Sequence, residues 1–182
     1  MVVTTTPSAK RRAILLLAAL PILLTGCRAE YHGHDSGIDG ALWRQIASFE
    51  DPLSSGLYRP SADDPAAYLK GLEVQRWDGL EASAAGLDLR NGGVVIYDVS
   101  STDSAVELSV FISSGPRADV VTDEGGKYTG PSTVYTCYGI KTEFRSREEP
   151  SADRIIFDDC PPTLVGMLPE DAAFASGEVF DG

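Results

Sequence analysis

Apolar positions recur at helical spacing from residue 38 and at strand spacing later. Ile38, Leu42, Ile46, Phe49 and Leu53 fall on one helical stripe with Trp43 at its edge. Ser36 and Asp39 ahead of this stripe form a capping-box-like start, with a hydroxyl and a carboxylate for the orphan N–H groups. Asp51-Pro52 is expected to disturb the last turn and leave Leu53 beyond the helix. Only Arg44 places a positive charge on this segment, so it reads as packed on a core and not laid on a lipid surface. A second, shorter helix is predicted from Asp64-Pro65 through Tyr68 and Leu69 to a stop at Gly71.

Beyond that point the period changes to two. Residues 87–90, the Asn91-Gly92-Gly93 turn and residues 94–99 predict a hairpin. Val106, Leu108, Val110 and Ile112 alternate with Glu107, Ser109, Phe111 and Ser113, which predicts a half-buried strand. Residues 132–144 and 154–157 are further strands, residues 123–126 (Asp-Glu-Gly-Gly) a turn, and residues 170–175 a short terminal helix. Helices first and then five or six strands on short turns argue for an α+β fold, a mostly antiparallel sheet with one or two N-terminal helices packed on it.

The first residues follow another pattern. A polar leader ends in Lys10-Arg11-Arg12, and residues 13–24 are apolar, interrupted only by Pro21. A bilayer span needs about 20 apolar residues, so this run has the length of a signal-peptide core. It closes on Leu24-Thr25-Gly26-Cys27, small residues before a thiol that a lipid donor can alkylate. Over residues 10–27 the chain resembles the signal peptide and lipobox of bacterial lipoproteins. The resemblance implies cleavage before Cys27, acylation of its sulfur, and anchoring to the outer face of the cell membrane. Residues 1–26 are then a removed signal peptide, residues 27–37 a lipid-anchored tether, and residues 38–182 one globular domain. The run from Lys10 to Leu15 also fits the minimal twin-arginine export pattern, which leaves the export route open. Residues 28–35 lack apolar periodicity, and eight residues reach at most about 28 Å.

Charge narrows the list of partners. Beyond residue 26 there are 12 basic side chains against 27 acidic ones, a net charge of −15. Nucleic-acid binding is driven by clustered Lys and Arg, so it is excluded as the expected role. A hydrophobic content of 43% places the chain among globular proteins and not disordered ones.

With Cys27 assigned to lipid, Cys137 and Cys160 remain, and two thiols in an exported chain point to a disulfide. Antiparallel pairing about a turn at Glu148-Glu149 puts Cys137 opposite Cys160. The same register sets Ile140 opposite Phe157, Thr142 opposite Ile155 and Glu143 opposite Arg154. No Cys-x-x-Cys is present, and no histidine lies near either thiol.

His32 and His34 are the only histidines, and with Asp35 they form a weak candidate metal site in the tether. Motifs for a serine nucleophile, a zinc protease or a phosphate loop are absent from the sequence. Acidic pairs at Asp63-Asp64, Glu148-Glu149 and Asp158-Asp159 keep a carboxylate hydrolase in view. Tyr135, Tyr138, Trp77 and Trp43 are candidates for a sugar or peptide groove, although strand aromatics more often fill cores. The expected role is a non-enzymatic, membrane-tethered domain without a cofactor that binds an envelope ligand or protein. An Asp/Glu envelope hydrolase is the alternative, and metal binding through the tether histidines a lesser one.

Overall fold

A computed structural model describes residues 36–54, 64–117, 130–144 and 151–176. Among these described residues four helices and six strands follow one another as α1 (Ser36–Ser54), α2 (Pro65–Gly71), β1 (Gln75–Arg76), α3 (Glu81–Ala84), β2 (Gly93–Ser101), β3 (Ala105–Ser113), β4 (Val134–Glu143), β5 (Ser151–Ile156), α4 (Pro162–Val165) and β6 (Ala173–Phe174). The sheet runs β1-β2-β3-β4-β5, with β6 paired to β4. The long pairs β2–β3, β3–β4 and β4–β5 are antiparallel, whereas the two-residue strands β1 and β6 join in parallel. This is the expected α+β fold, with a mostly antiparallel sheet.

The stripe on α1 does what its spacing demands. Leu42, Ile46 and Phe49 are buried against one sheet face made by Ile96, Val106, Leu108, Val110, Ile112, Tyr138 and Ile140. Trp43, at the edge of the stripe, stays half-exposed. Pro52 does not end the helix, which continues through Leu53 to Ser54. A proline this near the C-terminus removes only the hydrogen bond to the carbonyl of Ser48, next to carbonyls that lack helical partners anyway. The helix also starts at Ser36, inside the segment expected to be tether. In α2, Asp64 Oδ1 accepts from the backbone N–H groups of Ala66 and Ala67 at 3.0 and 3.1 Å, and Pro65 opens the first turn. Tyr68 packs edge-on against Phe144, with ring centroids 5.4 Å apart.

The opposite sheet face is buried as well, which corrects the half-buried reading of β3. Phe111 and Ser113 are fully buried and Ser109 nearly so. Val95, Phe111, Tyr135 and Cys137 lie beneath Trp77, Ala84, Leu89, Leu164 and Leu168. The sequence pattern understates this layer because short helices and turns supply it, and their apolar residues show no periodicity.

Three further expectations are corrected. Residues 87–90 form no strand, and β2 takes β1 as its neighbour on that side. The side chain of Gln75 clamps the backbone there, with Nε2 donating to Asp88 O (3.2 Å) and Oε1 accepting from Asp88 N (2.8 Å). These two bonds stand in for a ladder, and Leu89 is sunk fully into the core. The hairpin turn instead joins β2 to β3, where Thr102 Oγ1 accepts from Ala105 N at 3.1 Å. Residues 170–175 are not a helix, since β6 pairs Ala173 with Val134 and Phe174 with Tyr135. Asp171 ties that segment to β4 by accepting from Ser132 N (3.0 Å) and Ser132 Oγ (2.7 Å). The third correction is the β4–β5 register, taken up below. The turn expected at residues 123–126 lies outside the described residues.

Candidate binding surface

Cys137 and Cys160 are joined in a disulfide, with Cα atoms 5.7 Å apart. The pairing is as expected but the ladder behind it is not. Observed partners are Tyr138–Ile156, Gly139–Ile155, Ile140–Arg154, Lys141–Asp153 and Thr142–Ala152, three residues away from the expected register. A slip by an odd number moves every side chain of β5 to the other face. Arg154 thereby turns toward α1 and not toward Glu143, and the opposite-charge cross-strand pair becomes Lys141–Asp153. Cys160 is not in a strand. It lies past the end of β5, where the chain curls back to Cys137.

The bridge marks a change of neighbours. β4 pairs with β6 at Val134 and Tyr135 and with β5 from Tyr138 onward, and Cys137 sits between the two stretches. After Ile156 the chain leaves the sheet, passes the bridge, and enters α4 at Pro161-Pro162. β5 is therefore a six-residue edge strand that, among the described residues, pairs with β4 alone.

Three contacts hold this edge against the body. Arg154 donates to Glu50 of α1 through Nε (3.1 Å) and Nη2 (2.5 Å), a two-point pair with about a quarter or less of each side chain exposed. The guanidinium also lies over the Tyr138 ring, 5.0 Å from its centroid. Burial pushes the Tyr138 phenol far above its ordinary range, and the Glu50 carboxylate adds to the rise. On the other face Gly139 leaves room for Phe157 and Ile155, since a Cβ there would meet them at 3.1 and 3.2 Å.

β5 exposes two adjacent large apolar side chains, whereas β2 exposes one, Val99. Ile155 is 47% and Ile156 38% exposed, one on each face of the strand. On the Ile155 face Lys141 lies 3.9 Å from Glu107 and 3.4 Å from Glu143, with Asp153 opposite it in the ladder. Two carboxylates thus flank one ammonium beside an exposed isoleucine, and a third stands across the ladder. Asp158 and Asp159, also exposed, follow at the other end.

Other candidates separate cleanly. Tyr135, Tyr138 and Trp77 are core residues, with Trp77 Nε1 donating to Leu80 O at 2.8 Å. Asp64 caps α2, whereas Asp63, Glu148 and Glu149 fall outside the described residues. Asp78 and Asp171 are held below the usual carboxylate range by the hydroxyls of Ser83 and Ser132, the reverse of what a general acid needs. Cys27, His32, His34 and Asp35 also lie outside the described residues. Among the described residues no cluster of three metal-ligating side chains occurs, and no helix is long and apolar enough to cross a membrane. The signals that sequence reading missed are Glu50 and the exposed Ile155-Ile156 pair. A helix charge seven residues from Trp43 and a two-isoleucine run reveal their roles only once the register is known. No protein-family model, curated protein or solved structure matches this chain.

Proposed function

We propose that this chain is an extracytoplasmic lipoprotein whose domain, held near the membrane by an acylated Cys27, binds an envelope partner without catalysing a reaction. The observation that carries the reading is the Cys137–Cys160 bridge. Disulfides persist in oxidising compartments, the destination that the basic leader, apolar run and Leu24-Thr25-Gly26-Cys27 motif address. Among the described residues β5 is a sheet edge with two half-exposed isoleucines, which suits a binding role. The carboxylates of Asp78 and Asp171 are committed to serine donors, Ser83 within a turn and Ser132 ahead of β4, which gives the hydrolase alternative no support.

Expression in a bacterial host with lipoprotein processing tests the reading. The mature chain is expected in the membrane fraction, with an intact mass showing loss of residues 1–26 and added acyl chains. Cys27→Ala should release the protein or leave it uncleaved. A Cys27→Ala chain that is cleaved and still sediments with membranes would overturn the anchoring. Turnover of cell-wall glycan by the purified protein, abolished by replacing one Asp or Glu, would overturn the non-catalytic role.

A further inference from the structure

We infer that the outer edge of β5 is a docking strand for an extended, basic segment of a partner protein. The inference rests on reading the chain as a partner-binding domain and adds the surface and the chemistry of its occupant.

Alternate residues of β5 direct their backbone N–H and C=O groups away from β4, a template for one more strand. Natural edges are blunted by lysine, proline, inward-pointing charges or a covering segment. Here the one basic residue of β5, Arg154, points inward but is neutralised by Glu50. Ile155 and Ile156, on opposite faces, offer an incoming strand an apolar contact on each side. Such an edge invites pairing, and charge decides with what. Glu107 and Glu143 flank Lys141 on the Ile155 face, Asp153 stands across the ladder from it, and Asp158 and Asp159 follow the strand. A second copy would bring the same carboxylates and a mature chain of net charge −15 to the same place. A segment alternating apolar residues with Lys or Arg on one face meets Ile155 and the acidic group together.

The probe is a capped octapeptide, lysyl-threonyl-valyl-valyl repeated twice, which presents lysine and valine alternately on one face. Controls replace lysine by glutamate, or N-methylate alternate peptide bonds at unchanged charge. The peptides are titrated into the oxidised mature lipoprotein in neutral detergent, with amide hydrogen exchange as readout. The lysine peptide is expected to bind and to slow exchange in residues 152–156. Binding should fall at least tenfold with either control and with Ile155→Lys, whose fold is checked by its circular dichroism and intact disulfide. It should also weaken as salt rises from about 0.05 to 0.3 M.

Absence of binding, binding indifferent to N-methylation, or protection confined to other strands would overturn the inference. So would a concentration-dependent dimer lost in Ile155→Lys, which would assign the edge to a second copy. A failed titration leaves membrane anchoring intact, whereas membrane retention of Cys27→Ala sinks the anchoring and leaves the titration untouched. The two failures are therefore distinguishable.

Discussion

Removing Arg154 tests whether β5 is held to α1 by the Glu50 pair or merely lies beside it. The pair has two charge-assisted hydrogen bonds, with side chains 20% and 25% exposed. Exposed pairs contribute about 0–1 kcal/mol, and breaking buried ones costs about 3–5 kcal/mol. This degree of burial sits between the two, so a coupling of about 1–2 kcal/mol is expected. Arg154→Met also removes the guanidinium from the Tyr138 ring, which adds about 0.5–1 kcal/mol. The single variant should then lose about 1.5–3 kcal/mol. At about 2–4 °C per kcal/mol for a domain of this size, Tm falls by about 3–12 °C. Urea unfolding of the oxidised wild type, Arg154→Met, Glu50→Gln and the double variant completes a double-mutant cycle. Glu50→Gln keeps one acceptor and should cost less than Arg154→Met. A coupling below about 0.3 kcal/mol would refute the reasoning, because the two side chains would then behave as independent solvated charges.

Further outcomes follow from the same packing. The disulfide closes a loop across a sequence separation of 23, so Cys160→Ser should cost about 3 kcal/mol on the chain-entropy model, read as a lower urea midpoint. Equal midpoints for the oxidised and reduced wild type would count against a stabilising bridge. Burial raises the Tyr68 and Tyr97 phenols to about 12, with Asp98 adding to the rise at Tyr97. The unfolded chain releases these protons near the ordinary value of 10, so it binds fewer protons than the native state between pH 10 and 12. Stability is therefore whole below pH 10 and falls through that window by up to about 1.4 kcal/mol per pH unit for each phenol. Phenolate absorbance should rise together with unfolding, and ionisation of these tyrosines near pH 10 in a still-folded chain would contradict it. Gly115→Ala should destabilise far more than Gly79→Ala. Both sites have positive φ, but a Cβ at Gly115 lies 2.4 Å from Asn91 O whereas Gly79 faces open space. The expected costs are about 3 kcal/mol or more against about 1 kcal/mol, and equal midpoints would refute the contrast.

What the sequence reveals and hides follows from the range of the forces involved. α2 is legible to the residue because Asp64, Pro65 and Gly71 are all local signals. β3 and the core stripe of α1 are legible because burial imposes a period. The β4–β5 register is not, since two registers each offer one opposite-charge pair, Glu143–Arg154 or Lys141–Asp153. What favours the second is Glu50, about a hundred residues away, together with the side chain that Gly139 lacks. The Cys137–Cys160 link survives the wrong register because the chain past Ile156 is free to curl back. The Asn91-Gly92 signal marks a real turn, with Gly92 at φ 90°, but its flanking residues 87–90 are held by a Gln75 side chain and not by a ladder.

The change of partner along β4 explains why the edge is short and why it is exposed. β6 occupies the first two positions of that edge, Val134 and Tyr135, and after Thr136 the disulfide takes Cys137. β5 can begin its ladder only at Tyr138, which places Ile156 and Ile155 at the first rungs, beside the point where the chain departs. Lengthening β5 through Phe157 would compete with the bridge, and the Phe157 ring is instead laid over Gly139. Two isoleucines thus end half-exposed without any apolar segment left in α4 to cover them, because Leu164 and Val165 are spent on the Tyr135 and Cys137 side of the core. Cover from outside is limited by charge. At physiological salt the field of the surrounding carboxylates decays over about 8 Å. It is weak at a distance and strong within the contact zone of a paired strand. An acidic or self-complementary strand meets repulsion only on contact, and a basic one gains attraction there, so the carboxylates act as a filter on what pairs with β5.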